Sequence, residues 1–283
     1  DAVSTALYGA DSGAGVIIIT TKSGKSGKAK FSFSNSYGVS SKAVDGPKAA
    51  TRDQLLDLTA ESLINYTPFV NAGYYSTKAE AYDAIVNPGY DFLGWANYVG
   101  NDTNWQKEVE RKSPYQNEIN FSVNGGSDKM KYYSSIGYFK QEGIVKNSDF
   151  GKVNGALKLD YKATDRLSIS TDFQFSNSKM KSLPNGGYYS NPMLAQYFIT
   201  PLDAAYAPDG SIYLGYQGGL DVSGLQNPVA NLTYNYRKAN TNRVFGNIQI
   251  GYNLAKGLNY KFVFAPEYIN IEEDDYQSPI HGD

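Results

Sequence analysis

Side chains that do covalent chemistry are scarce in this sequence. Its 283 residues hold one histidine, His281, and no cysteine. No Ser-His-Asp or Cys-His set can be assembled from that inventory, and no disulfide frame or thiolate metal site. A carboxylate pair is conceivable, Asp160 with Asp172 on adjacent strands. Facing carboxylates in a wet cavity are ordinary, so an acid–base role is not expected. Gly24-Lys25-Ser26 ends like a phosphate-binding loop, but G-x-x-x-x-G-K-[ST] requires glycine where Ile19 stands, and the motif fails. The acidic run Glu272-Glu273-Asp274-Asp275 reads as a solvated loop rather than a cation site. The expectation is a protein that is no enzyme and has no catalytic residue, metal or cofactor.

Binding chemistry is better represented. The chain has 25 Tyr, 13 Phe and 2 Trp. Trp95 and Trp105 fall in one irregular stretch, and Tyr188, Tyr189, Tyr213 and Tyr216 in another. Such rings stack on sugars and Tyr hydroxyls bond to them, so these six are the ligand-binding candidates. Packing inside the loops is the alternative for each. A net charge of −2 gives no basic footprint for nucleic acid.

The elements that must position these rings are long two-faced strands. Ile119, Phe121 and Val123 alternate with Asn120, Ser122 and Asn124, a period of two that shows one face to an apolar phase. Gly125-Gly126-Ser127-Asp128 marks a tight turn into a strand over 129–142. Gly155, Leu157, Leu159 and Tyr161 alternate against Asn154, Ala156, Lys158 and Asp160 in the next. Leu167, Ile169, Thr171, Phe173 and Phe175 alternate against Ser168, Ser170, Asp172, Gln174 and Ser176. Further strands are expected at 29–41, 242–254 and 258–271, seven in all. Short turns at 125–128, 163–166 and 255–257 alternate with wider connections at 42–115, 143–151 and 181–240. Long strands with short turns at one rim and long loops at the other describe a transmembrane β-barrel, and abundant Tyr suits its interfacial girdles. A Tyr-rich soluble or secreted β-sandwich that binds carbohydrate is the alternative. It predicts turns every 8–12 residues, closer than these.

The first long insertion breaks the two-residue period. Helices are expected at Arg52–Tyr66, at 77–86 with Thr77 and Glu80 as a capping box, and at 104–112. The second insertion is proline-rich, with Asp209-Gly210 as a turn. Residues 23–28 read as a flexible linker behind the continuous apolar strand at 16–22. The chain opens at Asp1 inside a motif and is expected to be a fragment cut at both ends.

The block at 117–161 resembles the first hairpins of the SusC/RagA-type TonB-dependent outer-membrane transporters. The resemblance is carried by Asn120, Ser122, Val123, Gly125, Gly126, Lys129, Tyr132, Ser135, Gly137, Tyr138, Gln141, Glu142, Gly143 and Ile144. Residues 1–30 are similar to the end of that family's plug, through Ser4, Tyr8, Gly9, Gly15 to Ile17, Ile19 to Lys22, Gly24, Lys25, Gly27 and Lys28; Asp11 and Gly13-Ala14 depart from it. The resemblance implies an all-β fold: part of an antiparallel transmembrane β-barrel of about 22 strands, with helical extracellular loops. Residues 1–22 would be the end of the plug domain, 23–28 a linker and 29–283 the first part of the barrel. It also implies import of oligosaccharide or peptide across a Gram-negative outer membrane. The partners would be a SusD-like lipoprotein, TonB acting through segments outside this chain, and outer-membrane lipid.

Overall fold

The computed structural model describes residues 21–66, 75–89, 93–183, 187, 191–214 and 225–280. The expected plug residues 1–20, Tyr188, Tyr189, Tyr216 and His281 lie outside the described residues.

The strands are β1 Gly27–Val39, β2 Tyr115–Gly126, β3 Met130–Glu142, β4 Asp149–Lys162, β5 Leu167–Ser182, β6 Tyr236–Ala255, β7 Leu258–Phe264 and β8 Glu267–Tyr276. They form one antiparallel sheet in the order β1-β2-β3-β4-β5-β6-β7, with β8 also on β6. From β1 to β7 each strand pairs with its sequence neighbour, across short turns and long insertions alike. A single continuous sheet is not the pair of packed sheets that a sandwich requires. Gly257 takes φ +83 in the turn between β6 and β7, a conformation that costs glycine nothing.

Eight segments stand where seven strands were expected, and proline is the reason. The expected strand at 258–271 is interrupted at Pro266, which has no N–H to give a ladder. β7 pairs with the lower half of β6 and β8 with the upper half, so the two occupy one strand position. The acidic run is therefore not a loop. Glu272 to Asp275 lie within β8, opposite Asn240 to Arg237. β6 likewise starts at Tyr236, several residues before the apolar alternation that marked it.

Register puts the alternating residues in line across the sheet. Phe33 faces Phe121, Phe121 faces Ile136, Ile136 faces Gly155, Gly155 faces Phe175 and Phe175 faces Val244. One face is thus an apolar band. It is bounded by Tyr132, Tyr161, Tyr252 and Tyr260 towards the short turns and by Tyr37, Tyr115, Tyr236 and Tyr276 towards the long loops. Tyr37 stacks on Tyr115 at 5.9 Å and Tyr236 on Tyr276 at 5.3 Å. The residues between them in sequence, Asn120, Asn154, Asp172 and Gln249, share the opposite face.

Helices occur in the connections: α1 Arg52–Tyr66, α2 Lys78–Val86, α3 Trp105–Val109, α4 Pro192–Ala195 and α5 Pro228–Tyr234. The Thr77 hydroxyl accepts from the Glu80 amide at 3.2 Å. Glu80 reaches back to the Ser76 amide at 2.8 Å, one residue earlier than the usual box. α3 is shorter than the expected 104–112. α4 and α5 were not foreseen, although each has Asn as N-cap and Pro at its first turn.

The buried apolar residues lie entirely in the connections. Leu56, Ala60, Ala81, Ile85, Tyr98 and Leu202 make one cluster, and Trp105, Ile199, Ala205, Leu225 and Val229 a second. Val109, Val145 and Leu232 make a third. Among the described residues no strand contributes a buried apolar side chain. Phe31 is 69% exposed, Leu157 51% and Phe173 47%. A water-soluble sheet would hide that band; here it is laid open along the whole wall.

Candidate functional site

The candidate site is the polar face of the sheet together with the cap that the long connections build at one end. Alternation fixes the sidedness. Asn, Ser, Asp and Gln on one phase of each strand need water or polar partners, and a charge placed on the lipid phase at mid-membrane costs about 2–4 kcal/mol. The polar face meets those needs locally. Ser170 Oγ donates to Asp160 at 2.7 Å, and Gln174 Nε2 donates to Asp172 at 3.1 Å. Asp160 faces Ser170 and Asp172 faces Lys158 across the β4–β5 ladder. The two carboxylates are diagonal rather than opposed, each with its own partner.

The chain before β1 runs against this polar face. Lys158 Nζ donates to Thr21 Oγ1 at 3.4 Å, and Lys22 shares a cleft with Ser34, Asn120 and Ser135. Gly24 is buried against β3: a Cβ there would overlap the backbone of Tyr132. The segment read as a free linker is therefore seated at Gly24 and becomes strand at Gly27, ahead of the expected start at 29.

The cap joins both insertions. Thr103 Oγ1 donates to the Asp203 carbonyl, and Asn101 Nδ2 to that of Leu202, both at 2.7 Å. Arg111 is its corner. Its guanidinium donates to the carbonyls of Gly143, Val145 and Ser148 at 2.8–3.0 Å and to Asp149 at 3.1 Å. Lys42 pairs with Glu110, which also accepts from Gln196 Nε2 at 3.0 Å. The Glu110 hydrogen bond holds the Lys42 ammonium above the ordinary lysine range. Burial, then Glu108, raises the Tyr206 hydroxyl by disfavouring its phenolate.

The three described ring candidates, Trp95, Trp105 and Tyr213, are dispersed. Trp105 is 2% exposed, with its indole N–H given to the Thr200 carbonyl at 2.8 Å. Its faces are covered by the cap's second cluster. Trp95 is half-buried against the first cluster. Tyr213 is half-buried, its backbone carbonyl accepting from Asn227 Nδ2 at 2.6 Å. Tyr206 and Ile212 bridge around Asp209-Gly210, the expected turn. Phe139 and Phe150, which no sequence signal singles out, have centroids 6.0 Å apart on the polar face just under the cap, with Met180 opposite Phe150. Tyr132-Tyr133 and Tyr138-Phe139 put aromatics on both phases of β3, so alternation alone could not single out Phe139.

No family model matches the sequence. Among curated relatives, the TonB-dependent receptor P26 of Formosa agariphila is 27% identical over 285 residues, covering 98% of this chain and 25% of the relative. The TonB-dependent receptor SusC of Bacteroides thetaiotaomicron is 29% identical, covering 94% of the chain and 24% of the relative. The chain therefore spans about a quarter of these proteins' length. Of solved structures, the RagAB peptide transporter superposes with a TM-score of 0.69 at 22% identity, covering 96% of this chain and 31% of that one. A closed-closed state of the RagAB peptide importer gives 0.67 at 21%. These relatives are receptors and transporters rather than enzymes. In sequence the chain is similar to a segment of TonB-dependent receptors such as SusC, and in fold its sheet matches part of the RagAB structure.

Proposed function

We propose that the intact protein is an outer-membrane importer driven by TonB, and that this chain supplies the first wall strands and part of the extracellular cap. The observation that carries the reading is the exposed apolar band between two tyrosine belts, with the polar phase of the same strands turned to the other side. Hydrocarbon would wet the band, and the polar face would line a water-filled passage. Residues 1–22 would be the end of a plug, seated through Thr21 and Lys22 on that face. A wide barrel needs such a plug against leakage, and cargo release needs the plug remodelled by TonB.

Cargo would be an oligosaccharide or a peptide, delivered beneath a SusD-like surface lipoprotein that closes over the cap. SusC and the RagAB peptide importer are the relatives that support this arrangement. Phe139, Phe150 and Met180 offer an apolar contact at the top of the passage. Trp95, Tyr213 and the tyrosines at 188, 189 and 216 are the loop candidates for cargo contact.

Two experiments test the proposal. Heat-modifiable migration of the detergent-extracted protein, recovered in the outer-membrane fraction, is expected; a soluble monomer would refute it. Deletion of the gene should abolish growth on one glycan or on peptides as sole nutrient while other carbon sources remain usable. Undiminished growth on every glycan and peptide source would refute import.

A further inference from the structure

The apolar band is succeeded, towards the cap, by a polar zone on the same outer face. Lys140 faces Gly151, Gly151 faces Lys179 and Lys179 faces Asn240. One step further along the strands, Lys181 stands directly opposite Lys238. Gly151 adds no side chain between Lys140 and Lys179. Two strand spacings, about 10 Å, separate those lysines. The dip between them belongs to a cleft of about 610 Å³, the size of a small-molecule site.

The cleft sets Lys140, Lys179, Lys181 and Lys238 against Asp149, Glu272 and Asp274, with Lys238 opposite Asp274 on β8. Like charges directly opposed on neighbouring strands repel, and Lys181 and Lys238 are such a pair. Each of the cleft's carboxylates also has another partner. Asp149 is held by Arg111 at 3.1 Å, Glu272 accepts from Asn240 and Asn270 at 3.4 and 3.1 Å, and Asp274 lies beside the Tyr236 hydroxyl. Among the described residues, none of the four lysines forms an ion pair with a carboxylate. Lys140 and Lys238 lean instead on the rings of Tyr115 and Tyr236, at 5.3 and 3.7 Å.

Height decides what this face meets. Lys140, Lys179 and Lys181 stand roughly 10–14 residues beyond the short turns. At about 3.3 Å per residue and a tilt of about 40°, that is about 25–35 Å up, where the apolar band of an outer-membrane barrel gives way to headgroups. We propose that the cleft binds the phosphate-bearing headgroup of an outer-leaflet glycolipid, with its acyl chains lying along the band at Leu157 and Phe173. Ammonium groups donate to phosphate oxygens as charge-assisted bonds, and basic pockets at the headgroup level select anionic lipids. The cleft's amides and carboxylates suit the sugar hydroxyls. The proposal rests on the outer-membrane reading above.

The test is native mass spectrometry of the intact, delipidated protein in detergent, with phosphorylated lipid A, its dephosphorylated form and inorganic phosphate as probes. Phosphorylated lipid A should be retained and the dephosphorylated form lost. Affinity should fall about fivefold for Lys179→Gln, and about a hundredfold for Lys140→Gln, Lys179→Gln and Lys181→Gln together. Equal retention of both lipids, unchanged retention by the triple variant, or binding of free phosphate without lipid would overturn the proposal. Heat-modifiable migration of each variant reports the barrel separately. If it is normal while lipid retention is unchanged, this site alone falls; if the unaltered protein lacks it, the barrel reading falls and takes the site with it.

Discussion

The indole Nε1–H of Trp105 donates to the backbone carbonyl of Thr200 at 2.8 Å, and that bond ties the two long insertions together across 95 residues of chain. Around it Ile199, Ala205, Leu225 and Val229 close on the ring. One of the two tryptophans of the first insertion is thereby used in packing. Trp105→Phe keeps much of the volume and strands the Thr200 carbonyl, a cost of about 1–3 kcal/mol. Trp105→Ala also opens a cavity, about 3–5 kcal/mol. Hydrogen exchange of residues 105–109 and 192–205 should quicken in that order while the barrel's own unfolding midpoint stays put. Lost cargo binding with unchanged exchange would instead make Trp105 a ligand contact.

The two phases of one strand give a paired experiment. Phe173 lies on the apolar band and Gln174, one residue on, lies on the polar face. Phe173→Arg should cost about 2–4 kcal/mol in a bilayer, and Gln174→Arg much less. Urea unfolding of the intact protein in lipid vesicles reads both. Equal costs at the two positions would mean that the faces have been assigned wrongly.

Sequence reached the wall of this fold more easily than its cap, for a physical reason. Inside a membrane each strand must separate an oily phase from a wet one, so Leu157, Phe173 and Ile250 announce their side by simple alternation. Above the membrane that demand lapses. The first residues of β6, Tyr236-Arg237-Lys238-Ala239-Asn240, carry no alternation and look like loop, and the acidic run of β8 is hidden in the same way. Pro266 splits a strand position because both flanks still find partners on β6, a tertiary fact that local pattern does not hold. α4 and α5 span four and seven residues, too short for helical periodicity to register; only their Asn-Pro starts marked them. The cap's core joins residues about a hundred positions apart, so the fate of Trp105 was beyond any local pattern.

Protonation offers a test of the cap's hinge at Lys42 and Glu110. Lys42 has its pKa raised above 10.5, chiefly by the Glu110 hydrogen bond. A folded-state pKa above the unfolded value means stabilisation that is complete below about pH 10.5 and is lost as pH rises through the higher folded value. Both side chains are largely shielded, at 20% and 13% exposure. Protease sensitivity of the cap should therefore stay constant through neutral pH and increase only in strong alkali. Glu110→Gln should raise the sensitivity already at neutral pH and flatten the alkaline increase. A cap equally labile at pH 7 and pH 11 would show that this pair holds nothing.

Gly155 sits directly opposite Phe175 on the apolar band, and the aromatic ring lies over it, in the space where a Cβ would be. A ring that covers a strand glycine restores the apolar area the glycine lacks and shields its backbone. Adding a methyl must push the ring aside, so Gly155→Ala should destabilise the barrel by about 1–3 kcal/mol. In a Phe175→Ala background the same change meets nothing and should be neutral or stabilising, because glycine is the poorer strand residue. The double-mutant cycle should give a coupling of about 1 kcal/mol or more between the two sites. Unfolding midpoints of the four proteins in lipid vesicles supply the numbers, and strictly additive effects would place the ring elsewhere.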